Sequence, residues 1–186
     1  MEFKRCLWAT KDSDIEYHDK EWGKPVHDDN LLFEMIILEG MQAGLSWTTV
    51  LNKRESMRIA FDGFNPKIIA EYSIEKKEQL LLNPGIIRNK AKINALVSNA
   101  QAFLRIQEEY GSFDSYIWRF INNRPITNTW TELSQVPTTT ELSDAISKDL
   151  YAHGFKFVGS TICYAFMQAI GMVNDHMIWC EQYSKC

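Results

Sequence analysis

The 186-residue sequence has no hydrophobic run near the roughly 20 residues that a membrane span needs, and its start, MEFKRCLW, leads straight into polar sequence. Insertion and secretion are not expected, and the expected compartment is the cytoplasm. Cysteine is scarce, with 4 residues and no C-x-x-C pair, so in a reducing compartment the thiols point to metal or plain packing and away from disulfides. With only 9 Gly, 5 Pro, no repeat and no low-complexity tract, collagenous, linker-rich and disordered chains are excluded. Positive charge is in deficit, 20 Lys and Arg against 24 Asp and Glu, which argues against a broad phosphate-binding face but leaves a local one open. What is present is 45% apolar residues and 12% aromatics, including 6 Trp. That suffices for one well-buried domain over residues 1–186, or two small helical lobes sharing a groove, with most rings in the core and a minority left to stack on something flat.

Strand signals are nearly absent, and the sequence reads as all-α. Residues 29–41 place Leu32, Met35, Ile36 and Glu39 at helical spacing behind an Asp-rich start. A second helix spans 46–61 with Ser46 as N-cap, Asn65-Pro66 opens a short one, and Ser73 caps another that runs to Leu82. The longest amphipathic pattern runs from Arg88 to Tyr110, headed by Arg88, Lys90 and Lys92. A short helix at 113–121 precedes a long Asn/Thr/Pro loop to Pro137, and Thr138 with Glu141 fits a capping box for a helix at 139–152. The last helix, 160–171, is apolar on nearly every face, so it is expected to be buried.

Three constellations carry chemistry. Cys6 and His18 near one end and His176 and Cys180 near the other are ligands that Zn²⁺ prefers. The H-x-x-x-C pair shares a face if its segment is helical, whereas the first pair must converge through a loop. Four such ligands would leave no open position, making the site structural; the alternative is two buried thiols and two surface histidines. Cys163 reads as core and Cys186 as an inert terminal thiol.

The second constellation sets Trp8, Tyr17 and Trp22 around His18, with Glu39 and Trp47 flanking the turn MQAGLSW. Glu39 lies on the apolar stripe of its helix, where a carboxylate costs several kcal/mol unless it is paired or hydrogen-bonded. Either an internal partner such as Arg54 or Arg58 satisfies it, or it is the anion at the base of an aromatic pocket suited to a flat, cationic or amine-bearing ligand. The third is HGFKFVGST, a Gly-flanked segment leading into the last helix. It is either a phosphate-binding helix N-terminus, with Lys156, Arg88, Lys90 and Lys92 as a compact edge, or no more than a C-cap and a tight turn.

The strings YHDKEWG (17–23), FEMIILEGMQAGLSW (33–47), GIIRNKAKI (85–93) and GFKFVGSTICYAFMQAIGMVNDH (154–176) resemble the type I, constitutive 3-methyladenine DNA glycosylases, and the likeness covers nearly the whole chain. The resemblance implies an all-α helix-hairpin-helix fold of two helical lobes with a base pocket between them, the helix-hairpin-helix segment falling at about 150–172. It implies that Cys6, His18, His176 and Cys180 hold one structural zinc ion joining the termini. It also implies that an alkylated base, flipped from duplex DNA, stacks between Tyr17 and Trp47, with Trp8 and Trp22 nearby and Glu39 hydrogen-bonding it. Gln42 and Leu45 then probe the gap in the stack, and Arg88, Lys90, Lys156 and Gly159 meet DNA. One departure is KDSDIEYH, which lacks the tyrosine that family members carry shortly before the Tyr-His pair; either a pocket hydrogen bond is missing or Asp14 supplies it.

The implied reaction is hydrolysis of the N-glycosidic bond, releasing free 3-methyladenine and leaving an abasic site. An N3-alkylated adenine is already cationic and leaves as a neutral base, so little acid catalysis is needed. No lysine stands beside the pocket residues, which argues against a Schiff base and strand cleavage, and Asp175, the one aspartate nearby, is expected to be structural. A monomer is expected. The rivals are a zinc-stapled helical module that binds DNA or protein without cleaving it, and a glycosylase for an oxidised purine, which would want a catalytic lysine.

Overall fold

The computed structural model describes residues 4–186; the first three residues, part of the start MEFKRCLW read above, lie outside the described residues. Nine α-helices among the described residues carry the fold: α1 (Asp12–Lys20), α2 (Asp29–Gln42), α3 (Trp47–Ala60), α4 (Pro66–Ile69), α5 (Ile74–Leu82), α6 (Lys90–Tyr110), α7 (Phe113–Trp118), α8 (Glu141–Ala152) and α9 (Ser160–Ala169). The starts follow from side-chain caps. Asp28 accepts from the Leu31 amide, Ser46 from Thr49, Asn65 from Lys67 and Ser73 from Lys76.

Helix α2 is the axis of the molecule. Every residue from Leu32 to Met41 is buried, because α3, α6, α7 and α9 pack around it. Its first-turn Asp29 also caps α7, its two oxygens accepting from the Phe113 and Asp114 amides at 2.9 and 2.8 Å. Phe33, Phe103 and Phe113 form the ring-on-ring centre, with centroids 5.0 and 4.4 Å apart. Gly171 needs its φ of +71°, since a Cβ there would lie 2.3 Å from the Lys24 carbonyl carbon.

Several sequence expectations shift. Helix α6 begins at Lys90 behind an Asn89 cap, which leaves Arg88 in the preceding loop. Helix α8 is capped by Thr140 in a box with Ser143, so Thr138 is not its cap. The 113–121 helix is α-helical only to Trp118 and tightens to a 3₁₀ turn over Arg119–Ile121. Helix α1 was not expected at all: Asp14, Tyr17 and His18 point inward from an otherwise polar stretch, too few apolar positions to show a period. A two-residue parallel pair, Ile126–Thr127 against Val173–Asn174, also escapes the sequence and pins the long loop to the C-terminal segment.

Candidate active site

Helices α1, α2 and α3 on one side, and α9 with the 133–138 segment on the other, enclose a cavity of about 480 Å³. Three buried polar atoms on the first wall have no partner: the Tyr17 hydroxyl, Glu39 Oε2 and the Trp47 indole nitrogen. Each is costly to bury unpaired, by about 1–3 kcal/mol, and more if charged. Glu39 is only 3% exposed, and burial pushes its pKa up to about 8. Burial, and then the nearby Glu39, push the Tyr17 phenol well above its ordinary value.

The internal-arginine alternative for Glu39 is answered by Glu34, five residues earlier on the same helix. Arg54 Nε and Arg58 Nη2 both bond Glu34 Oε1, each at 2.6 Å, and Arg54 also pairs with Glu21 at 2.8 Å. Glu39 has neither. The Tyr17 and Trp47 ring centroids are 5.2 Å apart, tilted by 55°. At that separation the two rings touch each other as an aromatic pair does, so they would have to part for a base to enter between them. Trp8 and Trp22 stand edge to face at 5.0 Å and line the same cavity.

The opposite wall was largely missed from sequence. Leu133, Val136 and Pro137 come from the long loop, and Thr161, Tyr164 and Gln168 from α9. The last three, at i, i+3 and i+7, form one stripe on a helix read as apolar on nearly every face, and the polar Thr161 and Gln168 in that stripe were the available signal. Asp175 lies on the floor and accepts from Asn128 Nδ2 (2.7 Å), Trp130 Nε1 (2.7 Å), the Tyr164 hydroxyl (2.6 Å) and Gln168 Nε2 (2.8 Å). Four donors match a carboxylate's acceptor capacity, which makes Asp175 a structural knot. Asp14 is not among the residues that line the cavity; its Oδ2 accepts from the Thr48 hydroxyl at 3.0 Å, and its buried Oδ1 has no partner.

Three of the four proposed metal ligands converge. The ligand atoms of Cys6, His18 and Cys180 lie within 4.8 Å of one another, all buried. His176 falls outside that group, yet its ring centroid is 5.0 Å from that of His18 and its buried Nε2 has no partner. The other nitrogens are engaged: His18 Nδ1 with Asp19 Oδ1 at 2.8 Å, and His176 Nδ1 with Asn174 Oδ1 at 3.0 Å. This orients both Nε2 atoms as carboxylate or amide partners do behind a metal. His18 rides on α1, so its approach to Cys6 is not by loop alone, and residues 175–180 are not helical: an irregular stretch runs into a turn at 178–179, closed by Cys180 N to Met177 O at 2.8 Å. Cys186 is not isolated, its sulfur lying 3.6 Å from His176 Nδ1, whereas Cys163 is core as expected.

Residues 8–183 match the family model described as methyladenine glycosylase. The chain belongs to the methyladenine glycosylase family. DNA-3-methyladenine glycosylase 1 of Escherichia coli (strain K12) is 50% identical over 181 residues, 97% of each chain. A crystal structure of 3-methyladenine DNA glycosylase I superposes with a TM-score of 0.93 at 50% identity, covering 96% of this chain and 98% of that one. The Staphylococcus aureus 3-methyladenine DNA glycosylase I, solved for its recognition of 3-methyladenine, gives 0.93 at 34% identity and 96% coverage of both.

In this methyladenine glycosylase the DNA-facing residues named from sequence divide. Arg88, Lys90, Lys156 and Leu45 are exposed, and Gln42 lines the cavity mouth. Gly159 is the N-cap of α9 with no side-chain cap, at an ordinary φ of −60°; Gly154, at φ +95°, follows α8 as its C-terminal glycine. Lys92 leaves the proposed phosphate edge altogether: it is buried and bonds backbone carbonyls. No helix among the described residues is long and apolar enough to cross a membrane.

Proposed function

We infer that this chain is a monofunctional DNA-3-methyladenine glycosylase, taking N3-methylated adenine from duplex DNA and leaving an abasic site for base excision repair. The observation that carries this reading is Glu39: a buried carboxylate with no cation beside it, in a ring-lined cavity where the Tyr17 hydroxyl and Trp47 N–H also lack partners. The missing partner is a flat ligand bearing positive charge and polar edges.

Methylation at N3 makes the attached base cationic, so the pair of electrons in the bond to C1′ leaves with it as a neutral base, and water adds to C1′ and loses a proton. Flipping the nucleotide into the cavity places that cation beside Glu39, which the cation holds ionised. Normal adenine brings no charge, and the cost of an ionised buried carboxylate is then uncompensated. After cleavage the base is neutral, and burial returns a proton to Glu39, loosening the product. Among the described residues, lysine is absent from the cavity lining, which supports hydrolysis without a Schiff base.

Cys6, His18, His176 and Cys180 are proposed to hold one structural zinc ion. The unpartnered His176 Nε2 and the clustered donors of Cys6, His18 and Cys180 support it, and the ion would tie the segment beside Tyr17 to the one beside Asp175. Elemental analysis of the purified protein is expected to give one zinc per chain, falling well below one in His176→Ala; no zinc in the wild type overturns the assignment. A cytoplasmic setting and action as a monomer complete the proposal.

The deciding experiment is incubation with methylated duplex DNA followed by chromatography. Free 3-methyladenine is expected, with the backbone intact until alkali treatment. No released base, together with tryptophan fluorescence indifferent to free 3-methyladenine, would leave a zinc-stapled binding module as the better reading.

A further inference from the structure

Lys92 and Asn99 stand seven residues apart on α6, two turns and so on one face, with about 10 Å between them along the axis. Both are polar and both are buried, at 6% and 4% exposure. The Lys92 ammonium pairs with no carboxylate among the described residues and donates instead to the Met41 carbonyl at 2.9 Å and the Ala43 carbonyl at 2.6 Å, at the C-terminal end of α2. Those carbonyls are left over by the helix, and its dipole favours a cation there. Asn99 makes a two-way bond to the backbone of one residue of the α8–α9 hairpin: its Nδ2 donates to the Lys156 carbonyl at 3.0 Å and its Oδ1 accepts from the Lys156 amide at 2.8 Å.

One helix face therefore grips two separate surface segments by their backbones. The first is the turn after α2, with Gln42 at the cavity mouth and Leu45 exposed; the second is the hairpin with Lys156 exposed and Gly159 at the head of α9. Between the grips the hairpin meets the end of α2 directly: Phe157, at φ +55°, abuts Gly40, where an added Cβ would lie 3.4 Å from the Phe157 Cβ. An apolar side chain would fill the space beneath either loop without burying an ammonium. What the polar pair adds is a fixed placing of each loop.

We infer that Lys92 and Asn99 are positioning residues that set the spacing between the 42–46 turn and the Lys156 hairpin so that one duplex engages both at once. The inference rests on the reading of those two segments as the DNA-facing ones. It separates duplex recognition from base recognition, since neither residue lines the base cavity.

The test compares Lys92→Met, Asn99→Ala and the conservative Lys92→Arg by excision kinetics on methylated duplex and by calorimetric binding of free 3-methyladenine. The expected result is a KM at least tenfold higher in Lys92→Met and Asn99→Ala, most of it recovered in Lys92→Arg, with the free-base Kd within twofold of wild type. Equal weakening of both readouts, as general loosening would give, overturns the inference, and so does an unchanged KM. Leu45→Ala and Lys156→Ala keep the two failures apart. If both leave the duplex KM unchanged, the DNA-facing reading fails; if they raise it while the Lys92 and Asn99 variants do not, the positioning role alone fails. Should Lys92→Met not fold, Asn99→Ala carries the same test.

Discussion

Glu39→Gln is expected to lower kcat/KM on methylated duplex by about 10²–10³, the range for removing one group aimed at the reacting charge, while making the protein more stable at pH 8. The two effects come from one fact, that Glu39 is buried without a partner until a cation arrives. Glutamine keeps the shape and a hydrogen-bonding oxygen but cannot offset the lesion's charge, so the loss falls on the charged substrate. The stability effect has a definite direction. Glu39 holds its proton in the folded chain up to about pH 8, against 4.5 ordinarily. The folded state therefore binds the extra proton between those values, and wild type loses that contribution as pH rises from about 4.5 towards 8. The glutamine side chain has no such proton to lose. The gap between variant and wild type should open by about 1–3 kcal/mol across that window, read from urea midpoints at pH 5 and pH 8. Parallel pH dependences would mean that Glu39 is solvated or paired in solution, and retained excision would remove it from the pocket.

How much of this was legible depended on whether the signal was local. Caps such as Ser46 and Asn65 act over three residues and announce themselves, as does the apolar period of α2 that exposed Glu39 as anomalous. Which arginine satisfies which glutamate is not local. Glu34 and Glu39 stand on the same helix, and only the crossing of α3 over α2 decides that Arg54 and Arg58 reach the former. The second wall was hidden for the same reason. Leu133 and Pro137 sit in a loop without periodicity, and their approach to the cavity depends on the Val173–Asn174 pairing and on Asp175, which bonds Asn128 and Trp130 from some 45 residues away. Lys92 misled in another way, because a lysine at a helix head just after two exposed cations, Arg88 and Lys90, looks like surface until the helix phase shows it turned inward.

Trp47→Ala is expected to weaken binding of free 3-methyladenine tenfold to a hundredfold, the effect of about 1–3 kcal/mol for one base stacked on one ring, and more than Glu39→Gln does with the same ligand. Free 3-methyladenine is the neutral product, so Glu39 contributes a hydrogen bond there but no charge pairing, whereas the ring face is used in full. The fold should tolerate the change: Trp47 is half-buried at the first position of α3, and Ser46 still caps that helix. A melting temperature near wild type with weakened binding thus isolates the stacking contribution. Calorimetry is the suitable readout, since fluorescence would lose one of its own reporters. With Tyr17 only 5.2 Å from Trp47, truncation also frees the tyrosine ring to tilt into the vacated space. Tyr17→Phe is the companion measurement, removing the unpartnered hydroxyl while keeping the ring. If Trp47→Ala bound the base as tightly as wild type, the stacking surface would have to be Trp8 or Trp22, the other tryptophans that line the cavity.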